Sequence, residues 1–353
     1  MLEFKHKYRG GFANNFDLMR LFLATSVVFL HFDHLVNDPA VSALLKPTEF
    51  VSSRAVNGFF VVSGFVVYMS FDRSRKLGKY LVSRFLRLYP AYLAAILIVG
   101  SLPFVLSSCA GQDYFSPAWL RYLGTNLVFL NFLQPNLPCV FDGNFDNTLN
   151  GSLWTLKIEV MFYAVVPVLF FLIRRFGGVL VLSLTFAFSL AYFYGMMALA
   201  DTSGSGAYVV LARQLPGQMT YFSAGIFLYL YYERFAAHIA WLFPLAVALL
   251  FVPFLWIEPI ALGIVIIGAA VAPKYHVDLS KIGDLSYGVY VFHFPIIQLF
   301  LQLGIFKGSH LGLFAAVLSA TFFAAFLSSR LIEKPAALLN RKLNGKRVPK
   351  PAQ

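Results

Sequence analysis

The chain has 353 residues, of which 59% are hydrophobic and only 12% charged, with a mean hydropathy of +0.72 and a formal net charge of +12. A soluble domain carries about twice that share of charge, so these values exclude a disordered chain, a nucleic-acid-binding domain and an ordinary cytosolic enzyme. They point to a polytopic membrane protein. With two Cys and seven His, neither a metal cluster nor a disulfide framework is expected, and no metal is assigned.

A helix of about 20 apolar residues crosses the hydrocarbon once, and long helices satisfy every backbone amide within their own segment. Apolar stretches of this kind are predicted at residues 16–36, 58–71, 81–106, 153–173, 179–199, 216–232, 239–257, 260–272, 285–306 and 311–331. The expected fold is all-α, a polytopic helix bundle of about ten crossings. The alternation of a barrel strand is absent. A shorter run, 120–133, is interrupted by Asn126 and Asn131 and is expected to be re-entrant or interfacial. The loop after it, 134–151, is rich in Asn, Pro, Gly and Asp, holds no Lys or Arg, and makes a suitable rim for a polar substrate.

Most Lys and Arg residues fall in one alternate set of connections: Lys5, Lys7 and Arg9; Arg73 to Arg87; Arg174 and Arg175; Arg234; Lys274 and Lys281; and Arg330 to Lys350. The positive-inside rule then places both termini in the cytoplasm. The net charge is mainly an orientation signal, with contact to anionic lipid headgroups as a further use of the basic tail. The expected organisation is a membrane domain over 1–340 and a basic cytoplasmic tail over 341–353. The N-terminus mimics a signal peptide, but Asp17 and Arg20 interrupt the apolar run and no small-residue site follows, so cleavage is not expected.

Ionisable residues inside membrane helices are costly and are therefore functional candidates. Asp17 and Arg20, three residues apart, share one face near the start of the first span. They form either an anchoring ion pair or a charged entrance for a cofactor. His31 lies eleven residues beyond Arg20, roughly 16 Å along the axis, and imidazole is the natural proton acceptor near neutral pH. Glu159 falls at a matching depth from the outer end of its own span, so the two could form a base–orienter pair. Arg84 and Arg87 open the third span on one face. They serve as positive-inside anchors or as paired forks for phosphate. His293 lies near mid-membrane beside Pro295, which frees a backbone carbonyl, so a structural hydrogen bond is one account of it. The sidedness puts both cysteines, Cys109 and Cys139, outside, where a disulfide closing 120–133 is expected.

These residues sit in motifs that together resemble acyltransferase family 3. The matching pieces are Asp17-Leu18-Met19-Arg20 followed by His31; Gly58 through Ser63-Gly64-Phe65; Arg84-x-x-Arg87-x-x-Pro90; Ser152-Leu153-Trp154-Thr155 with Glu159, Phe162 and Tyr163; Gly283-x-x-Ser286-Tyr287-x-x-Tyr290-x-x-His293-x-Pro295; and Arg330-x-x-Glu333-Lys334-Pro335. Six in order span nearly the whole chain, and Thr155 stands where the family more often has Ser. Many members add a C-terminal soluble hydrolase-like domain; this sequence is read as a standalone membrane domain. The resemblance implies a bacterial inner-membrane enzyme that transfers an acyl group, often acetyl, from cytosolic acyl-CoA to a hydroxyl of an extracytoplasmic glycan or glycolipid. It also implies that His31 is the key catalytic residue and that Arg84 and Arg87 contact CoA. Ser63, Tyr163, Tyr287 and His293 are candidates for binding substrate or stabilising the tetrahedral oxyanion. The expected partners are acyl-CoA, a sugar acceptor and membrane lipids, with no nucleic acid. The rival class is a transporter or flippase of a lipid-linked sugar, but paired broken helices of inverted repeats are not found.

Overall fold

The computed structural model describes residues 15–107, 109, 111–252, 256–271, 277 and 283–345. The basic residues Lys5, Lys7, Arg9, Lys274 and Lys281, and the tail beyond 345, lie outside them. Helix is the only regular secondary structure among the described residues, with no strand among them. In chain order the helices are α1 (Phe16–Val36), α2 (Pro39–Ser52), α3 (Ala55–Ser74), α4 (Leu77–Ser101), α5 (Gly111–Tyr114), α6 (Pro117–Leu127), α7 (Trp154–Phe176), α8 (Gly178–Ser203), α9 (Gly206–Ala212), α10 (Leu215–Leu230), α11 (Tyr232–Ala237), α12 (Ile239–Leu249), α13 (Glu258–Val271), α14 (Ser286–Gln302), α15 (His310–Ser328) and α16 (Lys334–Leu343).

Each of the ten predicted stretches carries a helix. Six helical stretches, Phe16–Val36, Pro39–Ser74, Leu77–Val105, Trp154–Phe176, Gly178–Ser203 and His310–Leu343, are long and apolar enough to cross a membrane. Four others, α10, α12, α13 and α14, are shorter, at 16, 11, 14 and 17 residues. Large apolar side chains point outward along the long helices, Phe171, Leu184, Phe188 and Phe323 each more than 60% exposed. Apolar surface of that extent in water would drive aggregation; in a bilayer it meets lipid tails. The chain is an all-α membrane protein.

Three local features differ from or sharpen the expectation. The run 120–133 resolves into α6, whose 11 residues reach about 16 Å, short of the roughly 30 Å hydrocarbon core, and a 3₁₀ turn at Asn131–Leu133. The two asparagines that break its apolar pattern bind the turn together. Asn131 Nδ2 donates to the Tyr92 hydroxyl at 2.9 Å and to Asn126 Oδ1 at 2.7 Å, and Asn126 Nδ2 donates to the Gln134 carbonyl at 3.1 Å. Next, α2 fills a connection where no helix is predicted; Asp38 caps it, accepting from the Ala40 amide at 2.8 Å, and Pro39 occupies its first turn. Finally, the last span does not stop near 331. A π-helical turn at Ser329–Glu333 carries the helix on into α16.

The chain divides into two compact units. One is formed by the described residues of 1–20, 56–80 and 158–278, the other by those of 21–55, 81–157 and 279–353. In the first, α3 and α10 meet at backbone distance. A Cβ at Gly64 would strike the Phe222 carbonyl and one at Gly225 the Val61 carbonyl. Small residues permit this approach between membrane helices. The Phe162 ring stacks on Phe222, centroids 4.0 Å apart, and the Tyr80 hydroxyl donates to the Tyr163 carbonyl at 2.9 Å. In the second unit, Gly288 of α14 lies against Ala325 of α15, where an added Cβ would come within 2.6 Å of the Ala325 Cα.

Candidate active site

In the second unit, His31 of α1 meets His293 of α14. His31 Nδ1 lies 2.7 Å from His293 Nε2. The rings are parallel within 15° with centroids 5.0 Å apart. The facing nitrogens are much closer than the centroids, so the rings meet nearly edge to edge, the geometry of an in-plane N–H···N bond. His293 is fully buried, and its Nδ1 lies 3.0 Å from the Val289 carbonyl one turn earlier. A carbonyl only accepts, so His293 Nδ1 donates.

The carbonyl that Pro295 frees is a different one. Proline lacks the N–H that would bond four residues back, at Val291. Asn150 takes that place, its Nδ2 donating to the Val291 carbonyl at 2.8 Å. Asn150 Oδ1 then accepts from the Ser152 hydroxyl at 2.7 Å and its amide at 3.2 Å, and Thr155 bonds the Tyr290 hydroxyl. The motif around Ser152 and the motif around His293 are thus one hydrogen-bonded network. Gly151 lies where a Cβ would fall 2.6 Å from the Phe294 ring, and Phe294 in turn packs edge-on to His31 at 5.2 Å.

The polar loop is tied to the same helix. Gln298, fully buried, donates to the carbonyls of Asp146 and Thr148, the latter at 2.8 Å, and accepts from Asn144 Nδ2 at 2.9 Å. The loop residues Asp142, Asn144, Phe145 and Asp146 with His34 line a polar cavity of about 480 Å³. His34 lies one turn beyond His31, 3.8 Å from Asp146. Cys109 and Cys139 are paired, Cα atoms 5.7 Å apart, inside the range a disulfide spans.

Arg84 and Arg87 lie one turn apart on α4. Arg87 pairs with Asp284 and stands 3.6 Å from Glu333. Asp284 also accepts from the Ser286 amide at 3.0 Å, at the first turn of α14. The motif at Arg84–Pro90, the one at Gly283–Pro295 and the one at Arg330–Pro335 therefore converge on one charge cluster. Tyr287 donates its hydroxyl proton to the Leu88 carbonyl at 2.9 Å, a bond that joins α14 to α4.

The remaining candidates belong to the first unit. Asp17 and Arg20 form an ion pair within α1. Ser63 is half-buried on α3, beside the close approach at Gly64. Tyr163 donates its hydroxyl to the Glu159 carboxylate one turn before it on α7. Glu159 thus accepts from Tyr163 in the first unit, and His31 meets His293 in the second. Among the described residues no three His, Cys, Asp or Glu side chains converge as a metal site would require. Sequence reasoning missed Asp284 and Gln298. A buried Gln within an apolar helix was the available signal for Gln298.

The family model described as an acyltransferase domain matches residues 14–330. The chain belongs to acyltransferase family 3. The family member "Nodulation protein 10" of Rhizobium leguminosarum bv. viciae is similar to it over 97% of this chain and 98% of its own, at 28% identity. "Acyltransferase MdmB" of Streptomyces mycarofaciens is 26% identical over 44% of this chain and 39% of its own. No solved structure matches. The protein is a membrane acyltransferase of the non-aminoacyl kind, working between an acyl donor and an acceptor.

Proposed function

We propose that this acyltransferase moves an acetyl group from cytosolic acetyl-CoA to a hydroxyl of a glycan or glycolipid presented on the far side of the bacterial inner membrane. In this proposal the chain crosses the membrane ten times with both termini in the cytoplasm. The observation that carries it is His31, an imidazole in a membrane-length helix with one nitrogen engaged by His293. A family whose chemistry is acyl transfer needs a base for the acceptor hydroxyl, and His31 is of the right kind.

Arg84 and Arg87 take the CoA phosphates, with Asp284 and Glu333 holding the Arg87 guanidinium at the start of α14. The nitrogen of His31 not engaged by His293 removes the acceptor's hydroxyl proton. The oxygen attacks the thioester carbonyl, and the C–S bond breaks as the tetrahedral intermediate collapses. The thiolate leaves with the proton from the imidazolium, giving an ester and free CoA. The cavity at His34, Asp142, Asn144 and Asp146 offers acceptors and donors that suit sugar hydroxyls, and the exposed Phe145 ring suits a sugar face.

The test uses purified protein in lipid nanodiscs with acetyl-CoA and candidate oligosaccharides, read by thiol release and by mass spectrometry of the glycan. Coupled appearance of free thiol and a 42-Da increment (about the mass of an acetyl replacing a hydrogen; acyl transfer forms one ester per thioester consumed) supports the proposal. Thiol release from no acyl-CoA, or with no acceptor acylated, overturns it. Comparing surface glycans with and without the gene identifies the acceptor in the cell.

A further inference from the structure

We infer that His293 is a positioning residue, which holds His31 in the tautomer with its proton on Nδ1 and leaves Nε2 as the open lone pair. The inference rests on the proposal that His31 is the base, and it adds which atom acts and what selects it.

The chain of donors starts at a backbone carbonyl. The Val289 oxygen accepts from His293 Nδ1 at 3.0 Å, so that nitrogen carries the proton. A neutral imidazole has one N–H; His293 Nε2 is then a lone pair. It faces His31 Nδ1 at 2.7 Å, so His31 Nδ1 must be the donor. The single proton of neutral His31 is used there, and Nε2 is bare. Which nitrogen of a histidine is protonated is set by the bond its other nitrogen makes, and here two histidines in series pass that choice from the helix backbone to the reacting atom. The near-coplanar rings align each N–H with the next lone pair. The network that fixes α14 around Pro295, with Asn150 on the Val291 carbonyl, keeps the Val289–His293 turn in place. When Nε2 takes the acceptor's proton, Nδ1–H stays bonded to His293. Because His293 is neutral, it orients His31 without adding a formal charge.

Two variants separate this from a packing role. In His293→Gln the side-chain amide oxygen reaches about as far as Nε2 of histidine; in His293→Asn it reaches only about as far as Nδ1. Both keep a polar side chain at a fully buried position. The expected result is that His293→Asn lowers kcat about ten- to a hundredfold, a part of the roughly 10²–10⁴ that general-base catalysis contributes, with KM for acetyl-CoA unchanged. His293→Gln recovers most of the loss. Nitrogen-15 NMR of histidine-labelled wild-type protein, assigned with His31→Gln, shows the His31 proton on Nδ1. Equal activity of the two variants, or a wild-type His31 protonated on Nε2, overturns the inference. Full activity of His31→Ala would instead overturn the assignment of the base, a distinct result.

Discussion

Arg87 and Asp284 form an ion pair that sets the cationic end of α4 against the first turn of α14, the helix that carries His293. Glu333, from the π-helical turn, stands on the other side of the same guanidinium. Single π turns inside α-helices recur at functional sites, and this one brings a carboxylate to the arginine assigned to the donor. Three motifs far apart in the sequence therefore share one electrostatic contact.

The donor assignment predicts that Arg84→Ala and Arg87→Ala each raise KM for acetyl-CoA by roughly tenfold or more, for loss of a charge-assisted contact of about 1.5–3 kcal/mol. Arg→Lys restores part of it, because lysine lacks the planar fork. Arg87→Ala also removes the cation between Asp284 and Glu333, so its unfolding temperature falls further than that of Arg84→Ala. An unaltered KM in the double variant returns both residues to plain topology signals.

For the base, His31→Ala is expected to insert and fold but to lose about two to four decades of transfer rate. If Glu159 acts by orientation alone, Glu159→Gln should cost less, and the Tyr163 hydroxyl retains an acceptor in the amide oxygen. Turnover measured on equal amounts of inserted protein decides both. A Glu159→Gln loss as large as that of His31→Ala would move Glu159 into the proton-transfer step itself.

The long helices are legible because length and apolar run suffice to find them; α1, α7 and α15 lie within a few residues of their predicted ranges. The short helix α2 was signalled by Asp38-Pro39, a cap followed by a helix-starting proline, but its mixed composition hid it from a search for apolar runs. The π turn was not legible. Pro335 marks a helix stop by pattern, yet the chain stays helical through it by way of the π turn just before it. At the site, depth arithmetic put His31 and Glu159 at one height. Height along the bundle says nothing about which face of a helix looks at which neighbour, and so the contact with His293, 262 positions away, was invisible. Likewise the sequence shows that Pro295 frees a carbonyl, while the side chain that donates to it, Asn150, lies in a loop that no periodicity constrains.

Gln298 gives a test of the acceptor rim. Gln298→Leu keeps the volume but leaves the Asp146 and Thr148 carbonyls and the Asn144 amide without that partner. Buried polar groups left unsatisfied cost about 1–3 kcal/mol, so the unfolding temperature should drop. With the loop released, KM for the sugar acceptor rises while KM for acetyl-CoA holds. A rise in both would mean that the helix as a whole has shifted, and the link between loop and acceptor would be lost.

The last prediction concerns Cys109 and Cys139, the chain's two cysteines. They are 30 residues apart in sequence with Cα atoms 5.7 Å apart, and they bracket α6, the helix too short to cross. A bond there ties the non-spanning segment at both ends, and on chain entropy a loop of this size is worth about 3–4 kcal/mol. The bond requires an oxidising compartment, so it also reports sidedness. Thiol labelling of the denatured protein should find no free thiol before reduction and two after it. The Cys109→Ala, Cys139→Ala double variant should unfold at lower temperature while keeping the His31 and His293 contact on separate helices. Two free thiols in protein isolated from membranes, with reduction excluded during preparation, would remove the bridge and count against an outer placement of the segment between α4 and α7.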